Sequence, residues 1–158
     1  MKHFALVLFL GLVGLIFQPE GSNASEVIDP SRATRESGDS TLWYDIRLLG
    51  VEGQGWTETK AAFDRLPARA EGVVRDPVWQ LSRHSAGLCV RFVTDATTIK
   101  ARWTLTSDRL AMAHMPATGV SGLDLYAKLD GRWHWLGVGQ PNQKTNTATL
   151  ASGSEQRL

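Results

Sequence analysis

Cysteine is nearly absent: Cys89 stands alone among 158 residues. One thiol makes neither an internal disulfide nor a multi-thiolate metal site. An excess of one charge is missing too. Seventeen Lys and Arg against sixteen Asp and Glu leave a net charge of +1, and no block of like charge occurs. No phosphate-tracking surface is advertised, so nucleic acid is not an expected partner. No repeat period is visible. The longest apolar run, Phe4 to Phe17, spans fourteen residues with Gly11 and Gly14 inside it. At about 1.5 Å per residue it falls short of the roughly 30 Å hydrocarbon core of a bilayer. No stretch has the pattern of a long amphipathic helix, so the helical layer of an α/β catalytic fold is excluded. What is there, 42% hydrophobic and 21% charged, is the composition of one ordinary globular domain.

The first 24 residues have the organisation of an export address. Lys2 and His3 make a short basic start, the apolar run follows, Pro19-Glu20-Gly21 breaks it, and Ser22-Asn23-Ala24 offers small residues for cleavage. This reads as a secretory signal peptide cut after Ala24, giving a secreted or periplasmic product with no membrane contact after cleavage. No cysteine follows the run, so a lipoprotein is not indicated. In an oxidising compartment Cys89 is expected to be buried. Residues 25–41 are polar and read as a linker, residues 42–150 as the folded domain, and residues 151–158 as a polar tail. All six tryptophans, at 43, 56, 79, 103, 133 and 135, fall in the folded part.

Period two dominates there. Ile99, Ala101, Trp103 and Leu105 alternate with Thr98, Lys100, Arg102 and Thr104, a strand with one wet face. Leu88, Val90 and Phe92 point inward from a second strand, Leu88 to Val93. Val78 to Leu81 reads as a short strand after Pro77, and Thr59 to Leu66 as the one helical candidate, stopped by Pro67. Leu123 to Leu129 and Arg132 to Val138 flank Asp130-Gly131, the dipeptide of a two-residue hairpin turn. A simple register pairs Tyr126 with Trp135 and Leu125 with Leu136. It turns Leu123, Leu125, Leu136 and Val138 inward and leaves both Trp133 and Trp135 on the outer face, where a loop or a second domain is expected to cover them. The fold class expected is all-β, an antiparallel β-sandwich.

Chemistry-bearing motifs are sparse. Gly38-Asp39-Ser40-Thr41 spells the Gly-Asp-Ser of the GDSL esterases. A nucleophilic serine needs a rigid support that brings its hydroxyl to a base and to oxyanion donors. Here only Arg35-Glu36-Ser37 precedes it, and no Asp has a His three places later. His84, His114 and His134 are too scattered to hold zinc. Gly50-Val51-Glu52-Gly53-Gln54-Gly55 lacks the Lys-Ser/Thr ending of a phosphate loop. No catalytic, metal or cofactor residue is therefore assigned. The candidates for ligand contact are tryptophans, whose indole faces can stack on sugar rings. Trp133 and Trp135 share one face of one strand, about 6.6 to 6.8 Å apart along the backbone, and Trp56 sits in a glycine-rich loop. Trp79 and Trp103 are expected to be buried in strands.

The order of short motifs is distinctive. Gly55-Trp56, Asp64-Arg65-Leu66-Pro67-Ala68-Arg69-Ala70, Val78-Trp79-Gln80-Leu81-Ser82 and Ser85-Ala86-Gly87-Leu88 are followed by Arg91-Phe92-Val93-Thr94-Asp95-Ala96 and Gly122-Leu123-Asp124-Leu125-Tyr126. Over roughly Trp43 to Val138 this resembles the GxDLY domain, the β-sandwich at the N-terminus of SGNH-type esterases. The resemblance implies a jelly-roll-like sandwich that precedes a separate catalytic domain carrying Ser, Asp and His. That domain is the implied partner, with carbohydrate as a further candidate. The chain ends at Leu158 before the closing strands that such domains add, and is expected to be a truncated form or fragment. Its implied role is a non-catalytic accessory domain of a carboxylic-ester hydrolase acting on acylated carbohydrate. The alternative is a free-standing secreted carbohydrate-binding module. The motif residues Arg65, Leu66, Pro67, Trp79, Gly122, Asp124, Leu125 and Tyr126 are assigned structural roles. Gly122 is expected to supply a positive φ, Asp124 to accept backbone N–H groups from a neighbouring loop, Leu66 to anchor a loop, and Arg65 to meet a carboxylate at the seam with the catalytic domain.

Overall fold

A computed structural model describes the backbone of residues 2–8 and the whole of residues 28–153. The expected cleavage position at Ala24, the linker residues before Ile28 and residues 154–158 of the expected tail lie outside the described residues, whereas Ala151 and Ser152, expected to begin that tail, end a strand, with Ala151 in the core. In chain order the elements are β1 (Lys2–Leu8), β2 (Val51–Glu52), α1 (Asp76–Ser82), β3 (Cys89–Thr94), β4 (Thr98–Thr104), α2 (Ala117–Ser121), β5 (Leu123–Leu129), β6 (Arg132–Gly139) and β7 (Thr145–Ser152). A five-stranded sheet runs β2-β3-β1-β5-β6, and a two-stranded sheet pairs β4 with β7. All neighbours are antiparallel. The protein is mostly strand, an all-β fold.

The core lies where the two sheets meet. Val90, Leu123, Leu125 and Ala127 from the large sheet pack with Ala101, Leu150 and Ala151 from the small one. Leu88, Val90 and Leu125 are fully buried, each worth about 1.5–3 kcal/mol of transfer free energy. The alternation read from β3 and β4 holds: Leu88 and Val90 are buried and Phe92 packs on the core, while Ala101 is buried between the half-buried Ile99 and Trp103. The wet face of β4 is not left free. Arg102 stacks on Trp43 at 4.3 Å and reaches Glu36 at 2.8 Å, and Lys100 Nζ donates to Thr41 Oγ1 at 3.1 Å. Thr34 and Trp43 bridge backbone to backbone. The stretch from Thr34 to Trp43, mostly within the expected linker, is thereby held along β4.

Three local expectations are corrected. Val78 to Leu81 is not a strand but the body of α1. Pro77 sits in the first helical turn, where its missing N–H costs nothing, and burial falls on Trp79 and Ser82, three residues apart. Trp79 is buried as expected, but on a helix. Thr59 to Leu66 is irregular rather than helical. Thr59 and Pro67 form an isolated bridge across it, and Asp64 folds back to accept from the backbone N–H of Ala61 at 3.0 Å. In the hairpin, Asp130 and Gly131 take φ of 48° and 78°, the left-handed pair of a type I′ turn. Leu129↔Arg132 through Tyr126↔Trp135 pair in the expected register, and then a bulge makes Gly137, not Leu136, the partner of Leu125. The bulge lets β7 cross closely: a Cβ on Gly137 would lie 2.4 Å from the Leu150 carbonyl oxygen. Leu136 still packs on the core, but Val138 becomes the partner of Asp124 and turns to the outer face.

Candidate functional site

The hairpin builds the site. Within Gly122 to Tyr126, Leu123 and Leu125 go into the core, and alternation sends Asp124 and Tyr126 outward. Trp135 lies opposite Tyr126, so its ring comes out beside Asp124. The indole N–H donates to Asp124 Oδ1 at 2.9 Å, which fixes the ring while 56% of the residue stays exposed. Thr118 and Gly119 of α2 complete a shallow groove with Asp124, Trp135 and Val138. Burial pushes the Tyr126 phenol upward, and the Asp124 carboxylate adds to it. The groove thus combines an apolar ring, a carboxylate and a hydroxyl-bearing wall. A carboxylate beside an exposed indole can accept ligand hydroxyls while the ring takes an apolar face.

Several expected roles change. Asp124 accepts from the Trp135 side chain, not from a neighbouring loop's backbone. Gly122 has φ −86°, so it supplies no left-handed turn. It is needed for space, because a Cβ there would come within 2.4 Å of the Thr118 carbonyl oxygen. Among the described residues no loop covers Trp135. Trp133 is half-buried, with the Lys128 ammonium 5.8 Å from its ring centre. Trp56 is 43% exposed, but it follows β2, at the opposite edge of the sheet from β6. The three tryptophans therefore do not form one platform. Trp133 and Trp135 belong together, and Trp56 does not join them.

The other motif residues form a second cluster around α1. Arg65 donates through Nη2 to the Leu81 carbonyl at 2.7 Å, and its backbone N–H to the Ser82 carbonyl at 2.8 Å. It caps the helix, and its Nε is buried without a partner among the described residues; the seam with a catalytic domain, where its carboxylate partner is expected, lies outside this chain. The carboxylate of this region is Asp64, 2% exposed, which accepts from Arg83 Nε at 2.9 Å. Arg83 also lies over the Trp79 ring at 5.6 Å. Leu66 is half-buried, and the buried Pro67 precedes a 3-10 turn, Ala68–Ala70, instead of ending a helix. The burial of Asp64 has no period-based signal; a charged residue before Arg-Leu-Pro was its only trace.

Ser40, of the Gly-Asp-Ser match, is exposed. Asp39 Oδ1 is engaged by the backbone N–H and hydroxyl of Thr41, at 2.9 and 2.8 Å, and among the described residues no hydrogen bond joins the Ser40 side chain to a histidine. Cys89 is only half-buried, and burial, then the Glu52 carboxylate, push its thiol upward. Among the described residues no group of three His, Cys, Asp or Glu is placed to hold a metal.

The fold is all-β, with the Gly-x-Asp-Leu-Tyr strand next to the edge strand β6 of the larger sheet and its Asp and Tyr on the outer face. The chain belongs to the GxDLY family, described as the N-terminus of SGNH-hydrolase-type esterases, which matches residues 41–157. That description implies the esterase's catalytic domain as a partner within one chain. No curated protein and no solved structure matches the chain.

Proposed function

We propose that this chain is the non-catalytic accessory domain of a secreted SGNH-type esterase that acts on acylated carbohydrate. The observation that carries it is the outer face of the hairpin. There the family's own Asp124 holds Trp135 by a 2.9 Å hydrogen bond, with the ring left open to solvent. A ring fixed by its N–H loses little conformational entropy when a sugar stacks on it. The basic start, apolar run and small residues before Ser25 support export. The role of the domain is to hold a polymeric substrate, or to hold the catalytic domain, while hydrolysis proceeds elsewhere in the esterase.

The test joins this chain to an SGNH catalytic domain and compares turnover with and without it. Loss of activity on an acetylated polysaccharide, with p-nitrophenyl acetate turnover unchanged, is the expected result. Equal turnover of both substrates would contradict it. The exposure of Trp135 also favours a second reading, a free-standing secreted carbohydrate-binding module. Quenching of the emission by polysaccharide in the chain alone, abolished in Trp135→Ala, would favour that reading.

A further inference from the structure

The large sheet has a strand at its centre that the export reading removes. β1, Lys2–Leu8, pairs on one side with β3 from Lys2↔Thr94 to Val7↔Cys89, and on the other with β5 from His3↔Lys128 to Leu8↔Leu123. Its positions are not peripheral. Position 6 lies between Val90 and Leu125, both fully buried, and position 4 between Phe92 and the buried Ala127. Directly paired residues share a face, so positions 4, 6 and 8 belong to the core face of the sheet. Taking β1 away leaves β2-β3 and β5-β6 as separate ribbons about two strand spacings, roughly 9.5 Å, apart. Each would carry a row of unpaired backbone groups. The gap does not close by simple approach. Both strands run antiparallel to β1, so β3 and β5 are parallel to each other and would have to form a new parallel ladder.

We propose that the space between β3 and β5 is a strand-acceptor slot, filled in the exported protein by an extended apolar strand from the esterase portion that this domain precedes. This rests on the export reading, which removes the leader, and on the accessory-domain reading, which supplies the strand. The slot specifies its occupant. It takes about six residues running antiparallel to both walls, apolar at alternate positions opposite Ala127, Leu125 and Leu123, and without proline inside the ladder. A strand in the same chain meets the slot at a high effective concentration, which a free peptide does not. In the unprocessed chain Lys2–Leu8 holds that place.

The test starts from the full chain with a specific protease site inserted after Ala24 and the protein kept in the cytoplasm. Backbone hydrogen exchange is followed at Cys89–Thr94, Leu123–Leu129 and, as a reference, Thr98–Thr104. Both walls are expected to be protected in the uncut chain. They should exchange at least tenfold faster once the leader fragment is cut and removed, and recover with a synthetic peptide of residues 2–8 but not with its Leu6→Pro form. Unchanged protection after removal, or no recovery with the peptide, overturns the slot. If the cut chain unfolds altogether, the cut is made with peptide present. Protection of Thr98–Thr104 kept by the first peptide and not by the second then supports the slot, and its loss with both overturns it. The source of the occupant is read from residues 25–158 fused to an SGNH catalytic portion with its own connecting segment. Protected walls without leader or peptide support it. Exposed walls, or protection that appears only with dimerisation, overturn it. The export reading is judged separately, by the N-terminal mass of the protein from an exporting host: Ser25 supports it, and Met1 overturns it together with the replacement of Lys2–Leu8, while the peptide experiment still judges the slot itself.

Discussion

Removing the Asp64 carboxylate should destabilise the domain by about 2 kcal/mol. The side chain is 3% exposed and accepts from the Ala61 backbone N–H at 3.0 Å and from Arg83 Nε at 2.9 Å. Bonds to a charged acceptor are each worth about 1.5–3 kcal/mol, but Arg83 is 34% exposed and water takes its place in the variant. Asp64→Ala therefore loses the Ala61 bond nearly in full and the Arg83 bond in part. Asp64→Asn keeps an acceptor for Ala61 and should cost about 1 kcal/mol. Arg83→Met leaves the carboxylate buried without its cation. The cost of breaking a fully buried pair is about 3–5 kcal/mol, which the partial exposure of Arg83 lowers to about 2–3 kcal/mol. The assay is urea unfolding followed by tryptophan emission, with the m-value checked for constancy. A double-mutant cycle should return a coupling of about 1–2 kcal/mol between the two residues. An Asp64→Ala variant within 0.5 kcal/mol of the parent would refute the reasoning, because it would mean that the carboxylate is solvated in the native state.

The turn gives a second test. Gly131 has φ 78°, so Gly131→Val should cost roughly 1 kcal/mol or more, read from the shift in the urea midpoint. The Asp45 carboxyl, hydrogen-bonded by the Arg47 side chain and backbone, is held at about 2. Its folded value is depressed, so its stabilisation is present above the ordinary carboxylate value near 3.8 and is lost as pH falls toward 2; carboxyl carbon NMR should give that midpoint. Cys89, raised by burial, should react with a disulfide reagent at pH 8 more slowly than a free thiol, and Glu52→Gln should speed it by removing a nearby negative charge.

The parts of the fold legible in the sequence are those whose signals are local. Alternation along β3 and β4, and the Asp130-Gly131 turn, depend only on residues near one another in the chain. The hairpin register failed at one point, where the cause is distant. The bulge sits where β7 crosses so close to Gly137 that a Cβ there would meet the Leu150 carbonyl oxygen, and Gly137 and Gly139 are the trace of that approach. α1 is ambiguous in the sequence because four residues, Val78 to Leu81, satisfy either period. Pro77 in a first turn and the three-residue step from Trp79 to Ser82 were the better guide. In the site, the outward placement of Asp124, Tyr126 and Trp135 followed from pleat alone. The indole-to-carboxylate bond did not, because it depends on rotamers that a sequence does not display. The apolar run that follows Lys2 and His3 suits a central strand as well as an export signal, since both ask for a short apolar segment.

The most direct test of the account is ester hydrolysis by the purified chain, measured with p-nitrophenyl acetate beside its Ser40→Ala variant. An accessory domain whose chemistry resides in a separate catalytic portion should give no turnover above buffer, with the two proteins alike. Turnover that disappears in Ser40→Ala would contradict the account and make the Gly38-Asp39-Ser40 segment an active site.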